Sequence, residues 1–213
     1  MKKSLFISFE GIEGCGKTTQ AKRLFKYLVT QGYKCILTQE PGGTGISKKI
    51  REILLDKENK KLTPIAELFL YLADRAQHTE EVVLPALKSN KIVITDRSID
   101  STIAYQGGGR EISVETIKTL NHFVTKGITP NITILLDIEP EKGLARIKNK
   151  DRMELEKIKF YKKVREVYIN IAKKEPKRVK TINGNLKIEE IELEIRKFIQ
   201  NQLSLQTEGG QAK

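Results

Sequence analysis

Residues 11–18 read GIEGCGKT, and the segments on either side of this string restrict the fold more than any other part of the chain. LFISFE precedes it, a short apolar run of strand character. TTQAKRLFKYLV follows it, with Ala21, Leu24, Phe25 and Leu28 at helical spacing. Strand, glycine-rich turn and helix in that order make up the G-x-x-x-x-G-K-[ST] loop. Its glycines let consecutive backbone N–H groups turn inward around a di- or triphosphate, above a helix N-terminus that adds partial positive charge. Lys17 supplies a mobile cation for the β and γ phosphates, and the Thr18 hydroxyl is placed to ligate Mg²⁺.

Five β-branched or apolar runs recur along the chain: 5–9, 34–38, 91–95, 132–136 and 178–182. Amphipathic stretches lie between them, so consecutive strands are joined by helical crossovers and must run parallel. The expected fold is α/β: a three-layer, doubly wound, five-stranded parallel sheet. The runs at 5–9, 91–95 and 132–136 are almost continuously hydrophobic, as suits strands covered on both faces. Thr63 with Pro64 and Ser113 fit helix N-termini, and Gly32 and Gly127 fit helix ends. No linker divides the chain, so residues 1–203 are expected as one domain with 204–213 as an irregular tail. In such sheets ligands sit beyond the carboxyl ends of the strands, here the segments starting at Gly11, Gln39, Asp96 and Asp137.

The formal net charge of +12 raises the question of nucleic acid. The lysines are spread over most of the amphipathic stretches, however, and no basic strand interleaved with aromatics accompanies them. An anionic nucleotide substrate and a solvated surface account for the charge, and nucleic acid is not expected as a partner. Two cysteines, Cys15 and Cys35, point to a reducing compartment rather than a disulfide framework. No apolar run approaches the roughly 20 residues of a membrane span, so a cytoplasmic protein without a membrane partner is expected.

Asp96-Arg97 follows the third run. An acid at that strand end can hold Mg²⁺ directly or through water, and an Arg beside it can bridge two phosphate groups. Bridging serves transfer between two anions better than hydrolysis by water. In IAELFLYLADRAQH, Ile65, Leu68, Phe69, Leu72 and Ala76 form the expected buried stripe, whereas Glu67, Tyr71, Arg75 and His78 share another face. A ring and a guanidinium one turn apart can stack on and hydrogen-bond a planar base. His78 reads as a structural residue. Ser98, Thr102 and Gln106, spaced by four, offer a polar face suited to base edges.

Together these strings resemble the bacterial thymidylate kinase family over about residues 4–203. The resemblance rests on FEGIEGCGKTTQ, EPGGT, IREILL, LADRAQH, DRSIDSTIAYQGGGR, DRME and FYKKVREVY. EPGGT and DR-x-x-D-S-x-x-A-Y-Q-G are its specific parts. It implies a P-loop nucleoside monophosphate kinase-like fold and transfer of the γ-phosphoryl group of ATP to dTMP, giving ADP and dTDP with Mg²⁺. It also implies a homodimer formed through helices. On the donor side it implies ATP contacts from Gly11, Glu13, Gly14, Cys15, Gly16, Lys17, Thr18 and Thr19, with Arg146 near the adenine and Thr18 and Asp96 at the metal. On the acceptor side Glu13 would meet the sugar, Arg51 and Arg97 would clamp the dTMP phosphate, and Glu40 belongs to EPGGT. Tyr71 would stack on thymine, with Arg75, Thr102 and Gln106 at the base. The implied catalytic set is Lys17, Asp96, Arg97 and Arg152.

Two departures from the family pattern stand out. Gln39 replaces the Arg of the usual REPGGT string. In one branch of the family the loop carries an Arg where this chain has Gly14, and in the other a lid after the fourth strand supplies the cation. The lid at about 147–154 is short here, and Arg152 is expected as its principal cation, with Lys148 and Lys150 as lesser point charges. Cys15, inside the phosphate cradle, is expected to react with thiol reagents and to be protected by ATP. The rival readings are a kinase for another deoxynucleotide, such as dUMP or dCMP, and a P-loop ATPase that binds nucleic acid. A GTPase switch is disfavoured by the absence of an N-K-x-D motif.

Overall fold

The computed structural model describes residues 4–208, with side chains to Ser204. Five parallel strands, β1 (Leu5–Glu10), β2 (Cys35–Gln39), β3 (Ile92–Asp96), β4 (Ile132–Asp137) and β5 (Val179–Asn183), form one sheet in the order β2-β3-β1-β4-β5. Each lies within one residue of its expected position. The three nearly continuous apolar runs are the three central strands, and the half-buried β2 lies at an edge. The physical link is direct, because only a strand with sheet neighbours and helices on both faces needs apolar side chains on both. Leu5, Ile7 and Phe9 join the main core with Ala21, Leu24 and Leu28, while the alternate Phe6 packs with Val83, Ala86 and Val93.

Helix α1 (Lys17–Thr30) starts at the loop; α2 (Gly45–Leu55) and α3 (Pro64–His78) connect β2 to β3. Thr63 accepts from the Ala66 amide at 3.4 Å with Pro64 at the first helical position, and Thr44 accepts from the Ser47 amide at 3.1 Å. A π turn over Thr79–Val83 leads into α4 (Leu84–Lys88). After β3 come α5 (Ile99–Thr102), a π turn over Ile103–Gly109 and α6 (Val114–Val124), whose N-terminus is capped by Ser113. Helices α7 (Pro140–Ala145), α8 (Ile158–Lys174) and α9 (Ile188–Glu208) complete the order. Because α9 runs to Glu208, residues 204–208, expected as irregular tail, continue a helix; the rest of that segment lies outside the described residues.

Helix α3 departs from its expected packing. Leu68 and Leu72 are buried, but Ile65 and Phe69 are 53% and 56% exposed. Its inward face carries Glu67, Asp74, Arg75 and His78 instead, all buried. Positions 65, 68, 69, 72 and 76 do share one face of about 100°, but the helix is turned so that only its margin at Leu68 and Leu72 is buried and a polar network takes the inward half. The π turn at Ile103–Gly109 also serves the site. A Cβ on Gly108 would stand 2.7 Å from Val167 Cγ2, so glycine there lets α8 close on the turn. Tyr105 thereby meets Phe160 and Tyr168 of α8 edge to face, at ring centroid distances of 6.1 and 6.3 Å.

Candidate active site

The loop between β1 and α1 opens into a cleft of about 240 Å³ at the carboxyl ends of the strands. Lys17 and Thr18 line it at one end. Lys17 Nζ donates to the Ile12 carbonyl at 2.9 Å and lies 3.6 Å from Cys15 Sγ, while the Thr18 hydroxyl donates to Asp96. Thr19 is exposed and lies outside the cleft lining. Gly14 has φ +70°, and a Cβ there would collide with the Gly143 carbonyl of α7. A reciprocal limit holds at Gly143, whose Cβ would stand 2.5 Å from the Glu13 carbonyl. The two glycines let α7 pack on the loop, and the same contact closes position 14 to an arginine in this chain. Gly14→Ala should cost at least about 2 kcal/mol of stability, measured by chemical denaturation, because it meets both the left-handed backbone and the clash.

Cys15 corrects an expectation. Its side chain is 1% exposed and belongs to the main core. Maleimide applied to the native protein should modify the half-buried Cys35 and leave Cys15 unlabelled until the chain is denatured. Equal labelling rates for the two thiols, read by peptide mass, would contradict this.

Opposite the loop, Arg97 holds φ +75°, uncommon for a residue with a side chain and stable only where surroundings enforce it. Its Nη2 donates to Glu13 Oε1 at 2.8 Å and to the Tyr105 hydroxyl at 3.1 Å; its Nη1 reaches the Gly11 carbonyl at 3.1 Å and Ser101 Oγ at 3.2 Å. Tyr105 in turn donates to Glu13 Oε2 at 2.6 Å. Beneath them, buried Glu10 accepts from the Ser98 amide, Ser101 and Tyr168. Burial and the neighbouring Asp100 push its carboxyl up to about 7 despite these donors.

The far end is built on Arg75, which is 2% exposed. It donates to Glu40 Oε2 at 2.8 Å, Thr102 Oγ1 at 2.5 Å, Asn121 Oδ1 at 2.6 Å and the Ser98 carbonyl at 3.0 Å. These bonds use four of its five N–H donors, and the fifth, on Nη2, has no partner among the described residues. Glu40 also takes His78 Nδ1 at 2.8 Å. Burial pushes the Glu40 carboxyl up, but the Arg75 charge and the His78 hydrogen bond outweigh it and hold it below the ordinary value. His78 thus has the structural place expected of it. Burial raises the Tyr71 hydroxyl, so the ring presented to the cleft is a neutral phenol.

All eight expected acceptor residues, Glu13, Glu40, Arg51, Tyr71, Arg75, Arg97, Thr102 and Gln106, line this one cleft. Arg51 also donates to the Pro41 carbonyl at 2.8 Å. The lid expectation requires correction. Arg152 donates to Glu67 at 2.7 Å and to the Leu54 carbonyl at 2.7 Å, and its amide bonds the Leu55 carbonyl at 3.0 Å. Its guanidinium is therefore committed to the end of α2 and to α3, not free as the principal lid cation. A buried carboxylate captures an arginine more strongly than solvent does, which sequence spacing does not reveal. Arg146, at the end of α7 just before the lid, touches the loop instead, donating to the Gly14 carbonyl at 3.1 Å. Lys148 and Lys150 are exposed. Asp151, Met153 and Glu154 roof the cleft, and sequence reasoning missed them together with Tyr105 and Asn121. Tyr105 lay inside the quoted string 96–110, but no spacing singled it out.

What this fold and cleft define is a P-loop phosphotransferase with nucleoside monophosphate kinase-like architecture. The family model described as "Thymidylate kinase" matches residues 9–195. The thymidylate kinase of Geotalea uraniireducens (strain Rf4) is 47% identical over 199 residues, covering 89% of this chain and 93% of that relative. That of Clostridium novyi (strain NT) is 45% identical over 204 residues, covering 93% and 100%. A solved thymidylate kinase structure from Ehrlichia chaffeensis superposes with a TM-score of 0.78 at 37% identity, covering 93% of this chain and 99% of that one. The chain belongs to the thymidylate kinase family.

Proposed function

We infer that the protein transfers the γ-phosphoryl group of ATP to dTMP, giving ADP and dTDP. The observation that carries this reading is the continuity of the cleft: loop residues Lys17 and Thr18, the Asp96-Arg97 pair and the base-sized end with Tyr71, Arg75 and Gln106 share one cavity. ATP would place its phosphates in the loop, with Arg146 on the adenine side. The dTMP phosphate would lie between Arg97 and Arg51, its sugar against Glu13 and Tyr105, and its base on Tyr71. Near pH 7 that phosphate is already an anionic nucleophile, so no strong base is needed. The chain's task is alignment and stabilisation of charge on the transferring group, supplied by Lys17 and Arg97.

Thr18 and Asp96 are the residues suited to Mg²⁺, since both present hard oxygen donors at the mouth of the loop. Among the described residues no group of three or more His, Cys, Asp or Glu side chains is placed to hold a metal, so the remaining ligands would be phosphate oxygens and water. Bound there, Mg²⁺ would neutralise charge on the β and γ oxygens. A homodimer fits the apolar side chains that the helices turn outward, Ile65 and Phe69 on α3 and Phe123 on α6, the last 79% exposed. Light scattering would test it. No helix among the described residues is long and apolar enough to cross a membrane.

The deciding experiment is ADP production with and without dTMP. ADP release that depends on dTMP and yields dTDP is expected. ATP hydrolysis indifferent to dTMP, or stimulated instead by nucleic acid, would overturn the reading in favour of a P-loop ATPase.

A further inference from the structure

Behind the cleft-lining Gln106 lies a buried carboxylate that phosphoryl transfer does not use. Glu67, on the inward face of α3, is fully buried and collects donors from three directions. Arg110 reaches it through Nε and Nη2, both at 3.0 Å, Arg152 through Nη2 at 2.7 Å, and Gln106 through its side-chain Nε2 at 2.9 Å. Burial alone would push this carboxyl up. The hydrogen bonds and charge of Arg110, with Gln106 and Arg152, outweigh it and hold the group below its ordinary value. Glu67 is therefore a carboxylate, able to accept hydrogen bonds and unable to donate one.

That chemistry orients Gln106. A side-chain amide has one donating end and one accepting end, so with its NH₂ group given to Glu67 the carbonyl Oε1 must face away. Gln106 is 1% exposed and lines the cleft beside Tyr71 and Arg75. Among the described residues its Oε1 has no hydrogen-bond partner. An unpaired acceptor on the wall of the cleft is open for a ligand to satisfy.

We propose that Glu67 is a positioning residue for base selectivity: it locks the Gln106 amide so that the pocket presents a hydrogen-bond acceptor to the edge of the pyrimidine. Thymine and uracil carry an N3–H donor, which this acceptor pairs with. Cytosine has a lone pair at N3, and its approach would set two acceptors against each other in a desolvated site. An amide free to turn would serve both bases. Locked, it rejects one, because a mismatched polar contact in a buried site loses roughly tenfold to a hundredfold in efficiency. Arg110 and Arg152 keep the lock charged and in place. The proposal rests on reading this cleft as the dTMP site.

The test compares dTMP with 5-methyl-dCMP, which keeps the methyl group, sugar and phosphate and differs only along the base edge. In Glu67→Gln the ratio of kcat/KM for dTMP over 5-methyl-dCMP should fall about tenfold or more, mainly through KM. In a Gln106→Leu background the same substitution should leave the ratio unchanged, since the amide it acts through is gone. Equal losses on both nucleotides in Glu67→Gln, or an equal shift of the ratio without Gln106, would overturn the proposal as mere structural support. A second measurement does not need Glu67→Gln to fold. In the wild-type complex with dTMP, the Gln106 side-chain NH₂ protons, assigned by their loss in Gln106→Leu, should exchange slowly with solvent; rapid exchange overturns the lock. Wild-type protein inactive on dTMP would remove the functional reading and this proposal together. Wild-type protein active on dTMP, with an unchanged ratio in Glu67→Gln, would remove this proposal alone.

Discussion

Arg97→Ala is expected to lower kcat/KM for dTMP about a thousandfold, with kcat carrying much of the loss. The side chain stands where the loop and the acceptor pocket meet, held by Glu13, the Gly11 carbonyl, Ser101 and Tyr105. Groups that stabilise a transferring phosphoryl in a preorganised site contribute about 10²–10³ or more to rate. Arg97→Lys keeps the charge and loses the planar fork that spans two oxygens, so it should recover only part of the activity. Steady-state kinetics at saturating ATP reads both variants. A loss below tenfold in Arg97→Ala would show that the residue holds the fold of the loop rather than the reacting phosphates.

Arg75→Ala should have the largest effect on stability, about 3–5 kcal/mol, because it leaves the buried Glu40 carboxylate without its guanidinium. Thr102 Oγ1 and Asn121 Oδ1 lose their donor as well. The deficit should depend on pH. In the wild type the Glu40 carboxyl lies below its ordinary value of 4.5, so its stabilisation is present above that value and is lost as pH falls through the depressed one. Without Arg75, burial dominates and the carboxylate becomes a penalty at neutral pH that protonation removes. The difference between variant and wild type should therefore be greatest near pH 7 and shrink below about pH 4.5. Urea denaturation at both pH values reads it, and a difference independent of pH would exclude Glu40 as its origin.

Much of this molecule is written locally. The strands were legible within a residue because a buried parallel strand needs an unbroken apolar run, and the phosphate loop because its backbone conformation needs glycine at fixed positions. The face of α3 bearing Glu67, Tyr71, Arg75 and His78 was legible from helical spacing; Tyr71 and Arg75 line the cleft, and Glu67 and His78 are buried outside its lining. Ile65 and Phe69 were not, since periodicity says which residues share a face but not whether that face meets the core or the outside. Arg152 was misread for a related reason. Its charge and its place in the lid were visible, whereas the buried carboxylate that claims it lies 85 positions earlier in the chain, Glu67.

By itself the sequence determined the fold, the phosphate loop and the kinase family, because each is carried by short strings whose spacing answers to backbone sterics. Only the tertiary structure decided which charges are free to meet a substrate. Pairing between Arg75 and Glu40, Arg97 and Glu13, or Arg152 and Glu67 depends on distances of a few ångströms between remote segments, and burial makes each choice strong. The same distances fix the sense of the Gln106 amide, whose Nε2 is given to Glu67.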